Sequence, residues 1–136
     1  MKSCFQTVGL LTLLIGSAGA FADTFDGQSP LLCAATQTVS CDSVVDCVKG
    51  PADAVNLPVF LKFDAEKKEV ITAKESDEPR TSKILQVDNQ ESALVFVGID
   101  PAGAWGASID KATGDMTLSI AVDGTGYLVF GSCIER

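Results

Sequence analysis

The sequence predicts an all-β fold: a small antiparallel meander that closes as a barrel or a curled sheet, with a short N-terminal helix and two disulfides. Three observations lead to this prediction. Apolar and polar residues alternate with a period of two from residue 57 onward. Turn residues interrupt the alternation roughly every 8–12 residues, which is typical of strands joined by hairpins. Five cysteines are present, and only one lies in the apolar leader.

The leader, residues 1–22, is predicted to be a secretory signal peptide. An apolar run at residues 8–15 precedes Ala20-Phe21-Ala22, which fits the A-x-A pattern and places cleavage between Ala22 and Asp23. The run is shorter than the about 20 residues that a membrane-spanning helix needs. We therefore expect one mature domain, residues 23–136, that is periplasmic or secreted and has no membrane insertion.

The net charge limits the classes of binding partner that the protein can have. Ten Lys and Arg residues against 18 Asp and Glu residues give a net charge of −8, and loss of the single leader lysine leaves nine against 18, or −9. Such a chain is a poor match for nucleic acid or for an anionic membrane surface, because both attract clustered Lys and Arg.

The chain contains no histidine. This excludes Ser-His-Asp and Cys-His catalysis and histidine-bound metals. We therefore predict no catalytic residue, no metal and no cofactor. The acidic residues lie mostly in predicted turns, where solvated carboxylates are ordinary.

Four cysteines remain after the leader is removed: Cys33, Cys41, Cys47 and Cys133. An even number in an exported chain predicts disulfides, and the spacings do not match the paired C-x₂₋₄-C ligands of zinc. We expect a local Cys41–Cys47 bond and a Cys33–Cys133 bond between the two ends of the chain. The alternatives exchange Cys33, Cys41 and Cys47 as the partner of Cys133.

Residues 23–56 are predicted to be a disulfide-stapled region of loop and short helix. Ser29 followed by Pro30 is a favourable helix start, which predicts a short helix over residues 30–36. A further turn is expected over residues 42–48.

Residues 57–136 are predicted to be the β-meander. A charged loop is expected over residues 76–79, and Gly114 is expected to supply a positive φ in a tight turn. The strand around residues 93–99 is apolar on both faces, so we expect it to be central. The seven predicted strands cover residues 57–64, 69–75, 80–88, 93–99, 105–109, 116–122 and 127–133.

Trp105, Tyr127 and Phe130 are the candidate ligand-lining residues. Aromatic side chains in a small barrel either line a cavity or fill the core; for Trp105 core packing is the favoured interpretation, and Tyr127 and Phe130 carry the same ambiguity.

Several segments of the mature chain carry a family resemblance, among them Phe25-Asp26-Gly27, Pro30-Leu31-Leu32-Cys33-Ala34, Val55-Asn56-Leu57-Pro58, Trp105, Thr113-Gly114 and Val129-Phe130-Gly131-Ser132-Cys133. They resemble a group of small, uncharacterised exported proteobacterial proteins, and the contexts of Cys33 and Cys133 are the most specific. The resemblance implies export and a shared fold. It carries over no activity and no functional residue.

Three functional hypotheses follow. The first is an exported, non-enzymatic binding or interaction module, with a partner such as a basic protein that the negative charge would attract. The alternative is a small lipocalin-like carrier of an apolar ligand. A second alternative is a carboxylate-dependent hydrolase, which would need two acids facing each other in a cleft.

Overall fold

A computed structural model describes residues 25–42, 46–74 and 77–136 of the chain. The predicted signal peptide and its cleavage site lie outside these ranges. Within them, nine antiparallel strands form one sheet. The strands are β1 (Leu31–Cys41), β2 (Cys47–Gly50), β3 (Phe60–Asp64), β4 (Glu69–Lys74), β5 (Asp77–Asn89), β6 (Ala93–Asp100), β7 (Gly103–Asp110), β8 (Asp115–Val122) and β9 (Thr125–Glu135).

The sheet closes into a barrel because β1 pairs with strands on both of its edges. One edge pairs with β9 over its whole length. The other edge pairs first with β3, from Leu31 to Ala34, and then with the short β2, from Thr38 to Cys41. The closed barrel therefore has eight strands, β1 and β3 to β9. This confirms the predicted antiparallel barrel, in which β1 and β9 pair with each other instead of remaining open edges.

The predicted helix over residues 30–36 is wrong, because this segment belongs to β1. Leu31, Cys33 and Ala35 alternate into the core and are each at most 6% exposed. Backbone pairing on both edges of the strand outweighs the local helix-start signal of Ser29 and Pro30.

The predicted turn over residues 42–48 falls partly on residues 43–45, which are outside the described residues. Cys47 and Val48 belong to β2. The sequence analysis missed a short 3-10 helix, Ala52–Val55. It ends at Asn56, which has a φ of 58° and whose backbone N–H donates to the Asp53 carbonyl at 3.1 Å.

Each of the seven predicted strands overlaps a strand of the barrel. The predicted loop over residues 76–79 is wrong from Asp77 onward, because β5 already pairs with β4 at Lys74 and Asp77. The predicted turn glycine is confirmed, since Gly114 has a φ of 76°. Strand β6 places Leu94 and Phe96 in the core, while Val97 and Ile99 are exposed on the outer surface.

Both predicted disulfides are confirmed, and each joins residues that face each other across paired strands. Cys33–Cys133 links β1 to β9 inside the core over a sequence separation of 100. Cys41–Cys47 links β1 to β2 over a separation of 6.

One end of the barrel is closed by the segment that precedes β1. The buried Phe25 packs near the β7–β8 turn, close to Gly114. The Asn89 side-chain amide donates to the Asp26 carbonyl at 2.8 Å, and the Arg136 backbone N–H donates to the Pro30 carbonyl at 3.0 Å. These contacts hold the segment across the ends of β5 and β9. A surface depression of about 640 Å³, lined in part by Gly27, Lys68 and Ile84, remains beside the segment at this end.

Candidate ligand-binding cavity

A cavity of about 360 Å³ occupies the end of the barrel opposite Phe25. The 57–58 segment before β3, the β6–β7 turn and the inner faces of β3, β4, β5, β7 and β8 surround it. Successive side chains of a strand point to opposite faces, so the alternation in the sequence directs every second residue into this space. The apolar side chains that form the wall include Leu61, Phe63, Val70, Trp105, Leu118 and Ile120.

Three aromatic rings pack together beside the cavity. The ring centroid of Phe63 lies 5.1 Å from that of Phe96 and 6.1 Å from that of Trp105, the latter in an edge-to-face arrangement. Both separations fall in the range that aromatic pairs favour. Trp105 also lies directly against Gly98, its register partner on β6, where a side chain of any size would overlap the indole ring. These contacts hold the indole in one position in the cavity wall.

The indole N–H of Trp105 is the unusual polar group of this wall. The side chain is 7% exposed, and Nε1 has no hydrogen-bond acceptor among the described residues. Leaving a buried donor unpaired costs about 1–3 kcal/mol, and buried donors are nearly always paired. Nε1 belongs to the edge of the indole that lies against Gly98 of β6, so this donor is buried in the sheet beside the cavity. Thr38 Oγ1 is also buried without a partner among the described residues, but Thr38 does not line the cavity.

The mouth of the cavity is polar on the side formed by β5 and the β6–β7 turn. Asp100 is held in this turn, where Oδ1 accepts the backbone N–H groups of Ala102 at 2.8 Å and Gly103 at 3.0 Å. The Ser82 hydroxyl donates to Asp100 Oδ2 at 3.4 Å, which is a long contact. Arg80 lines the same mouth, is exposed and forms no ion pair with any described residue.

The acidic turns have a structural explanation. Asp110 Oδ1 accepts the backbone N–H groups of Ala112 at 2.8 Å and Thr113 at 2.9 Å. These backbone donors favour the ionised carboxylate and so lower the pKa of Asp110 below its ordinary value. Asp110 thus fixes the β7–β8 turn in the way that Asp100 fixes the β6–β7 turn.

The three candidate aromatic residues lie in three different environments. Trp105 lines the cavity. Tyr127 is half-buried on β9, opposite Ile120, and is not among the lining residues. Phe130 lies on the outer surface with 42% of its area exposed. Arg80, Ser82 and Ile120 also line the cavity but were not predicted from the sequence. The one sequence feature that could have indicated them is alternation, which places them on the same strand face as Ile84 or Leu118.

Comparisons with protein-family models, with curated proteins and with solved structures give no significant match for this chain. Among the described residues, no helix is long and apolar enough to cross a membrane. The same part of the chain contains no group of three or more Cys, Asp or Glu side chains that could hold a metal ion. The fold and the cavity thus define the molecule as a small antiparallel β-barrel, closed at one end and hollow at the other.

Proposed function

We propose that the protein is an exported carrier or receptor that binds a small apolar molecule in the open end of its barrel. The cavity supports this proposal through its volume of about 360 Å³ and its mostly apolar wall. Ligand sites in proteins are typically apolar clefts of about 300–1,000 Å³ with a few polar groups. The cavity therefore suits a small ligand.

The uneven filling of the barrel is the main argument for a ligand. An eight-strand barrel is just wide enough either to be filled by side chains or to hold one small molecule. Bulky, fully buried side chains fill the closed end, namely Leu31, Ile84, Leu94, Ile109 and Met116. At the open end, the side chains of Leu61, Leu118 and Ile120 line the wall of the cavity and leave its centre unfilled.

The proposal predicts that affinity rises with the apolar length of the ligand. Burying one methylene group contributes about 0.8 kcal/mol, which is about a fourfold gain in affinity. We expect 1-butanol, 1-hexanol and 1-octanol to bind with about this increment until the cavity is full. The fluorescence of Trp105 reports binding directly, because the chain has one tryptophan and it lies in the cavity wall.

A variant that narrows the mouth tests whether the cavity is the binding site. Ile120→Phe adds volume at the mouth, and we expect it to weaken 1-octanol binding by about tenfold, or about 1.4 kcal/mol. Val87→Phe is the matched control, because Val87 is also half-buried against the core but does not line this cavity. Equal affinities of the two variants, or no alcohol binding by the unaltered protein, would contradict the proposal.

A further inference from the structure

We propose that the cavity selects an amphipathic monocarboxylate. Its carboxylate would bind Arg80 and Ser82 at the mouth, and its apolar body would extend toward Phe63 and Trp105. This inference rests on the proposed function and adds the chemical class of the ligand to it.

Arg80 is a charged group at the mouth with no ion-pair partner among the described side chains. Among the side chains that the structure describes, which exclude those of residues 73–79, it is the one Lys or Arg that lines the cavity, and it forms no ion pair there. A guanidinium presents a fixed fork of N–H donors that matches a carboxylate in a bidentate geometry. A carboxylate at the mouth would therefore gain a charge-assisted pair with Arg80 that no described side chain provides.

Asp100, an acidic residue at the mouth, already accepts hydrogen bonds from its own turn and from β5. Its two oxygens accept three hydrogen bonds, two of them from backbone N–H groups of its own turn. The hydrogen bond from the Ser82 hydroxyl to Asp100 is long, at 3.4 Å, and therefore weak. The hydroxyl can turn to donate to an incoming carboxylate with little loss of hydrogen-bond energy.

The positions of Arg80 and Ser82 set the orientation of the ligand. Both line the cavity from the same face of β5, two residues apart, opposite Thr72 and Val70 of β4. Arg80 is exposed at the rim, whereas Val70 and Phe63 are buried in the wall deeper in the barrel. A ligand with its carboxylate at Arg80 would place its apolar body against the buried part of the wall.

Three ligands with the same eight-carbon chain test this inference: octanoate, 1-octanol and protonated octylamine. We expect octanoate to bind about tenfold more tightly than 1-octanol, and octylamine to bind more weakly than both. Arg80→Gln should remove the tenfold preference for octanoate over 1-octanol. Calorimetric titration at physiological salt, together with Trp105 fluorescence, measures all of these affinities.

Lys83→Gln is the matched control, because it removes one positive charge from an exposed position on β5 that does not line the cavity. We expect this variant to keep the preference for octanoate. Binding of 1-octanol as tight as that of octanoate, equal effects of the two variants, or tightest binding of octylamine would overturn the inference and leave the proposed function standing. Binding of none of the three ligands would overturn the proposed function itself.

Discussion

Replacing both Cys33 and Cys133 by alanine is expected to lower the free energy of unfolding by about 3–5 kcal/mol. The bond joins the first and last strands of the barrel across a sequence separation of 100. In the chain-entropy model, a bond that closes a loop of this length contributes about 4.7 kcal/mol, because it removes conformations from the unfolded chain. Small domains are stable by only about 5–15 kcal/mol. We therefore expect this variant to be close to unfolding at 37 °C.

The second disulfide provides the control. Cys41–Cys47 spans a separation of 6, for which the same model gives about 2 kcal/mol. Urea unfolding followed by circular dichroism should place the Cys41→Ala, Cys47→Ala variant clearly above the Cys33→Ala, Cys133→Ala variant in stability. Equal losses, or a larger loss from the short loop, would show that the link between β1 and β9 does not stabilise closure as described.

Gly98→Ala is expected to be the most damaging single substitution near the cavity, with a loss of about 3 kcal/mol or more. A Cβ atom at this position would overlap both the Trp105 indole ring and the backbone carbonyl oxygen of Lys83. Overpacking a core typically costs about 1–3 kcal/mol, and a backbone atom cannot relieve the overlap by rotating. The substitution should also displace Trp105 and change its fluorescence spectrum in the folded state.

Gly126→Ala is the matched control, since a Cβ atom there would meet no atom of a described residue within 4 Å and the residue also lies in a barrel strand. We expect this variant to be as stable as the unaltered protein, or more stable by about 0.5–1 kcal/mol, because alanine restricts the unfolded chain. Chemical unfolding of the Gly98→Ala and Gly126→Ala variants measures the difference in their stability. A Gly98→Ala protein as stable as the control would contradict the packing of Trp105 against β6.

Local signals in the sequence were sufficient for most of the fold. Period-two alternation and turn residues predicted seven strands, because both depend on neighbours within a few positions. The pairing of Cys33 with Cys133 followed from the expectation that the two chain ends meet. Strand β1 was missed because Ser29 and Pro30 form a genuine local helix signal, which pairing with β3 and β9 overrides.

The cavity was less predictable, because it depends on which side chains meet at one level of the barrel. Two bulges shift the register of β1 and β5, one between Ala35 and Gln37 and one between Ile84 and Gln86. No local sequence pattern predicts these bulges. Trp105 was a candidate on residue type alone, whereas Arg80 and Ser82 gained a role only when β5 was placed opposite β4. The predicted export and the predicted basic protein partner stay predictions.

The single indole N–H gives the most direct test of the claim that the open end of the barrel is a ligand site. Because Trp105 is the only tryptophan in the chain, a ¹⁵N-labelled sample has one indole signal in its heteronuclear correlation spectrum. Titration with 1-octanol or octanoate is predicted to shift this signal in a saturable manner, because the ligand would contact the indole ring in the cavity wall. An indole signal that stays in place while the ligand binds, or while backbone signals elsewhere shift, would contradict the account.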